Sequence, residues 1–161
     1  MIKIGVISDT HIPKAALDLP ADIYNDFVGV DLILHAGDVT ELSVLRSLEK
    51  LAPVKAVCGN MDTGDICGAY PKKEIIKIGR FRIGLIHGYG PAKGLMKTVR
   101  SEFDKNIDVI VFGHSHNPVN EIVDGILFFN PGSPTDKVFS PYNSYGILEA
   151  DDKIQGRIIR I

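Results

Sequence analysis

All five histidines of this chain, His11, His35, His87, His114 and His116, stand where a short apolar run gives way to polar residues. Neutral imidazole is a ready ligand for divalent cations, so their company decides what they could do. Asp9-Thr10-His11 offers a carboxylate and an imidazole two residues apart, and His114-Ser115-His116 repeats that spacing with two imidazoles. An extended two-residue step points both side chains to one side, as chelation requires. Gly37-Asp38 and Gly59-Asn60 each set a small residue before an oxygen donor, which lets backbone come close to a cation, and Gly113 allows a tight turn before His114. His87-Gly88 follows a run of its own. Singly, each of these is also an ordinary turn or a hydrogen-bonded histidine; together they share one position relative to the elements before them.

Carboxylate, amide and imidazole without thiolate suit manganese, iron, nickel, cobalt or zinc better than calcium or magnesium, which favour oxygen throughout. Asp9, His11, Asp38, Asn60, His87, His114 and His116 are too many donors for one such ion. With a shared carboxylate they suit two ions roughly 3.5 to 4 Å apart, the arrangement that hydrolyses phosphate esters.

The elements that must hold these residues are legible as hydrophobic pattern. Ile2 to Ile7 reads as a buried strand running into Ser8-Asp9-Thr10-His11. Pro20 to Phe27 has helical spacing, and Asp31 to Leu34 forms a second strand before His35-Ala36-Gly37-Asp38. Thr40 is the expected cap of a helix carrying Leu42, Leu45, Leu48 and Leu51, after which Val54 to Val57 leads into the polar turn Gly59 to Gly64. Three β-α units thus deliver polar side chains at strand carboxyl ends, where ligands bind in open α/β sheets. The second half is strand-rich: Glu74 to Ile78 and Phe81 to Ile86 form a hairpin through Gly79-Arg80, Leu95, Met96, Val99 and Phe103 mark a helix, and five further strand runs follow from Val109. The expected architecture is α/β, two sheets with helices outside, in one domain over residues 1–161.

Composition narrows the function. With 18 Lys and Arg against 20 Asp and Glu, the net charge of −2 gives no field for gathering nucleic acid, which disfavours a nuclease. The first residues break their apolar run too early for a signal peptide and no stretch nears the ~20 apolar residues of a membrane span, so the expectation is a cytoplasmic protein without a membrane partner. Cys58 and Cys67 match neither a redox pair nor a zinc site and are expected as reduced thiols.

The ordered set Asp9-x-His11, Gly37-Asp38, Gly59-Asn60, His87-Gly88 and Gly113-His114-Ser115-His116 resembles the calcineurin-like metallophosphoesterases from residue 4 to about 135. Chain length and the Asn130-Pro131-Gly132-Ser133-Pro134 turn are similar to the small branch that includes prokaryotic phosphodiesterases and the retromer scaffold subunit. The resemblance implies a two-sheet sandwich flanked by helices and two divalent ions, manganese foremost, with nickel, zinc, iron or cobalt as alternatives. It implies one ion on Asp9, His11, Asp38 and His116 and the other on Asp38, Asn60, His87 and His114, with Asp38 bridging and Asp38, Asn60 and His114 catalytic. In-line attack by a metal-bridging hydroxide on a small phosphodiester or nucleotide-like substrate is the implied reaction. A homo-oligomer would accord with the dimers and tetramers of similar small members.

One departure stands out. Where the family commonly has histidine after Gly-Asn, this chain has Met61, which can neither donate a proton nor steady a developing charge. General-acid help is worth about 10² to 10⁴ in rate, so phosphodiesters or esters with acidic leaving groups become the expected substrates. Asp62 is a weak substitute acid, His35 a residue supporting the ligands from behind, and Tyr89 and Asn130 to Ser133 candidate cleft residues. The alternative to an enzyme is a non-catalytic or weakly catalytic interaction scaffold of the same fold.

Overall fold

Alternation along the strands sets the layers. In β1 (Ile2–Ile7) Ile4 and Val6 turn to one side and Ile7 to the other; in β2 (Leu32–His35) Leu34 joins Ile4 and Val6 while Ile33 joins Ile7. The computed structural model, which describes residues 1–161, resolves this pattern into two five-stranded sheets. The first has the order β10 (Ile154–Arg160), β9 (Ser144–Ala150), β1, β2, β3 (Val54–Ala56). The second runs β4 (Lys73–Ile78), β5 (Phe81–Ile86), β6 (Val109–Val111), β8 (Ile126–Asn130), β7 (Val119–Val123).

Between the sheets lies a core of Ile4, Val6 and Leu34 from the first and Ile83, Leu85, Val109, Val111 and Phe129 from the second. On the outer face of the first sheet, α1 (Ala21–Phe27), α2 (Leu42–Glu49) and α3 (Gly64–Ala69) bury Ile23, Phe27, Leu45, Leu48 and Ile66 against Ile7 and Ile33. α4 (Leu95–Ser101) lays Leu95 and Val99 on Ile110, Phe112 and Phe128 of the second. Each such aliphatic or aromatic side chain contributes about 1.5–3 kcal/mol on full burial, so both faces of each sheet hold it in place. No helix is long and apolar enough to cross a membrane.

What this architecture does for the site is align strand ends. β1, β2 and β3 pair in parallel, as do β5, β6 and β8. Their following loops are therefore collected in two sets, one per sheet.

Three expectations change. α3 begins at Gly64, the last residue of the expected turn, and the sequence predicts no helix there because Gly64 and Gly68 weaken one that packing of Ile66 nevertheless supports. Thr40 does not cap α2; Glu41 holds that position, and the Thr40 hydroxyl donates instead to the Ile12 carbonyl. Cys58 and Cys67 are not free thiols but a disulfide, because α3 folds back on the end of β3 and brings their Cα atoms to 5.0 Å, within bridging range.

Candidate metal centre

The loops at the strand ends are fastened to one another before any ligand is considered. The Asp9 N–H donates to the Gly37 carbonyl (3.0 Å) and the His11 N–H to the Asp38 carbonyl (3.1 Å), laying the loop after β1 along the loop after β2. Within the second sheet the Gly113 N–H donates to the His87 carbonyl (3.0 Å); across the sheets the His114 N–H donates to Asp9 Oδ2 (3.1 Å), which also accepts the neighbouring Ser8 hydroxyl (2.6 Å). These cross-links force unusual backbone. Asp9, His11, Asp38, His114 and His116 all have positive φ, between 43° and 69°. The two-residue spacing therefore chelates through left-handed turns, not through the extended step expected from the sequence. Each such residue costs on the order of 1–3 kcal/mol, held by its surroundings.

All seven expected ligands meet here. Asp9 Oδ1 lies 3.2 Å from His116 Nε2, 3.8 Å from His11 Nε2 and 3.9 Å from His87 Nε2. Asp38 Oδ2 lies 3.5 Å from His11 Nε2 and 3.3 Å from His87 Nε2, so it reaches both halves. Asn60 Oδ1 is 3.0 Å from His87 Nε2 and 3.1 Å from His114 Nδ1. Asp9, His11 and His116, and likewise Asp9, Asp38 and His87, converge closely enough to hold an ion.

The hydrogen bonds behind the imidazoles show that a cation fits. His116 Nδ1 donates to Asp136 Oδ2 (2.6 Å), His87 Nδ1 to the Ala36 carbonyl (2.7 Å) and His114 Nε2 to the Gly90 carbonyl (2.8 Å). A neutral ring so held turns the lone pair of its other nitrogen inward, against carboxylate and amide oxygens. Acceptors then face acceptors, and Asp9 Oδ1 is buried without a hydrogen-bond partner. A positive ion relieves both conditions. Asp136, buried and twenty residues from His116, carried no metal pattern in the sequence and was missed.

Without metal, protons must serve. Burial alone would lower the pKa of His87, but Asp38, Asp9 and the Ala36 carbonyl push it up to about 9; burial of His116 is likewise outweighed by Asp9 and Asp136, again giving about 9. Asp9, despite burial, is held well below the usual carboxylate range by His11, His116 and His87. Since the imidazole pKa values rise on folding from an unfolded ~6.5, their contribution is complete below pH ~6.5 and lost as pH climbs through about 9. Chelator-treated protein should therefore melt lower at pH 9.5 than at pH 6.5, a difference that saturating metal diminishes; calorimetry at the two pH values checks this.

The remaining expected residues sort by contact. His35 is fully buried and stays neutral, burial pushing its pKa down to about 3; its Nδ1 accepts from the Gly37 N–H and its Nε2 meets the Thr10 hydroxyl, so it supports the loops and faces no ligand cluster. The Asp62 carboxylate accepts the N–H groups of Asp38, Gly59 and Thr40, which makes it a clamp on the ligand loops and a poor candidate acid. Asn130 and Ser133 are buried, donating to the Gly113 and Asp9 carbonyls, and so do not line the cleft. Gly59 and Gly113 matter for a reason other than cation approach. A Cβ on the first would overlap Asp38, and on the second Ser8 and Asp9.

A cleft of about 550 Å³ opens over His11, Asp38, Asn60, His114 and His116 and is also lined by Met61. A second, of about 470 Å³, shares Asn60 and is bordered by His87, Lys72 and Tyr89.

Comparison with known proteins is consistent with this arrangement. Residues 2–153 match the model of the calcineurin-like phosphoesterase superfamily domain. A protein of Methanocaldococcus jannaschii named as a probable metallophosphoesterase is 41% identical over 160 residues, covering 98% of this chain and 81% of that one. A phosphodiesterase of the same organism is 29% identical over 171 residues, covering 98% and 99%. The crystal structure of Vps29 from Entamoeba histolytica in complex with Zn²⁺ superposes with a TM-score of 0.75 at 26% identity, covering 99% of both chains.

Proposed function

Because this chain belongs to the calcineurin-like phosphoesterase superfamily, we propose that it is a divalent-metal-dependent phosphodiesterase. The observation that carries the reading is the buried, unpartnered Asp9 Oδ1 set among inward-facing imidazoles. Asp9, His11, Asp38 and His116 would hold one ion and Asp38, Asn60, His87 and His114 the other, with manganese the first choice among metals that accept this donor set. Two such ions, when bound, supply the Lewis acidity that activates water and draws charge from phosphoryl oxygens. The chain's own part is positional. Asp136, Ala36 and Gly90 fix the three imidazoles, and the left-handed loops bring donors of both sheets to one point.

The diester preference rests on two features. Met61 is half exposed in the larger cleft and carries no proton for a leaving alkoxide. Two clefts meet at Asn60, which suits a phosphorus bearing two organic arms. A small or nucleotide-like diester completes the proposal, and the Cys58–Cys67 disulfide suits an oxidising compartment better than the cytoplasm expected from the sequence.

Chelator-stripped protein should hydrolyse neither an aryl phosphodiester nor the matching monoester, and manganese, nickel or zinc should restore turnover with the diester faster. Tight metal binding without turnover of either ester would instead favour a scaffold.

A further inference from the structure

The ligands account for the floor of the larger cleft but not for its rim. Phe139 lines that cleft and is 76% exposed, yet its backbone is tied down. The Asp136 carboxylate accepts the backbone N–H groups of Val138 (2.8 Å), Phe139 (3.0 Å) and Ser140 (2.8 Å), and the same carboxylate accepts from His116 Nδ1. The backbone that carries Phe139 is therefore tied to a ligand, and its ring stands edge-on to the His116 imidazole with centroids 6.2 Å apart. Leaving so large an apolar ring in water forgoes burial energy, and the turn that presents it sends three backbone N–H groups to one carboxylate. Met61, Ala15 and Ala92 add apolar surface to the same cleft, and Lys14 adds a cation.

We propose that Phe139 is a stacking platform for a flat aromatic group, a nucleobase or aryl arm, carried by the phosphate ester whose phosphorus sits at the ligand cluster. The proposal rests on the phosphoesterase reading and names its substrate class. The occupant follows from continuity: any ester engaged at His116 must send an arm outward, and the ring lies beside that residue, where one arm reaches it. The cleft volume of about 550 Å³ falls in the usual range for a small organic ligand. Aromatic platforms accept bases through their faces with little regard to identity, so the preference should be for a ring, not for one base. Lys14 would meet an anionic substituent of that arm.

The test is binding by manganese-loaded protein, measured by titration calorimetry with adenosine 5′-monophosphate and with inorganic phosphate. Wild type should bind the nucleotide more tightly than phosphate. Phe139→Ala should weaken the nucleotide about tenfold and leave phosphate unchanged, whereas Phe139→Trp should keep the nucleotide affinity. Equal weakening of both ligands would mean that Phe139 acts through His116 and Asp136, and would overturn the proposal. So would a nucleotide affinity that Phe139→Ala does not alter, or a wild type that prefers phosphate. Failure of the phosphodiesterase reading is separate: it shows as absent hydrolysis of every ester, whatever the nucleotide titration gives.

Discussion

Asp38→Asn should lower turnover of an aryl phosphodiester at least about 10³-fold while the folded protein persists. The two oxygens of the carboxylate have different partners. Oδ1 accepts the Met61 N–H at 2.8 Å, a structural bond that asparagine keeps through its own oxygen. Oδ2 faces His11 and His87, where an amide nitrogen would bring donor hydrogens and no negative charge. Asparagine also tolerates the left-handed backbone at φ 55° better than most residues, so the loop need not rearrange. Steady-state kinetics with saturating manganese, beside a thermal melt, separate the two effects. Near wild-type turnover in a folded variant would sink the two-ion reading.

Asp136→Ala should weaken metal binding or activity by about 10- to 100-fold, the usual cost of losing the carboxylate behind a metal-binding histidine. Here the cost has two sources. His116 loses the acceptor that fixes which nitrogen faces inward, and the turn at residues 138–140 loses its common acceptor. Asp136→Asn retains an acceptor oxygen without the charge and should fall between wild type and alanine. Competition with a fluorescent chelator gives the metal affinity directly. If the alanine variant holds manganese as tightly as wild type, the positioning role is wrong.

The distance between these two residues in legibility is instructive. Asp38 announced itself, because a glycine-aspartate pair at the end of an apolar run joined other donors in the same relative place. Asp136 sits beyond a Pro-Gly-Ser-Pro turn with no second donor nearby in sequence, and its meaning comes from a chain crossing that brings β8's loop onto β6's. Strand runs were legible for the same reason as Asp38: a short apolar, β-branched run is a local signal, and β1 and β5 fall on the residues expected. What escaped was nonlocal. α3 exists by packing of Ile66, the Cys58–Cys67 bridge by the return of that helix, and the left-handed ligand loops by bonds to strands far along the chain. The ligands were found although the geometry expected of them was not.

Those left-handed loops also bear on how such a chain could change over generations. Five ligand positions sit where glycine or asparagine would rest more easily. If selection for hydrolysis lapsed, the replacements that relax the backbone would be the same ones that remove the metal, and drift would carry heat resistance and inactivity forward together. A descendant kept only as a scaffold would then be expected to lose ligands at residues 9, 11, 38, 114 and 116 before those at 60 and 87, whose backbones have no such strain to release.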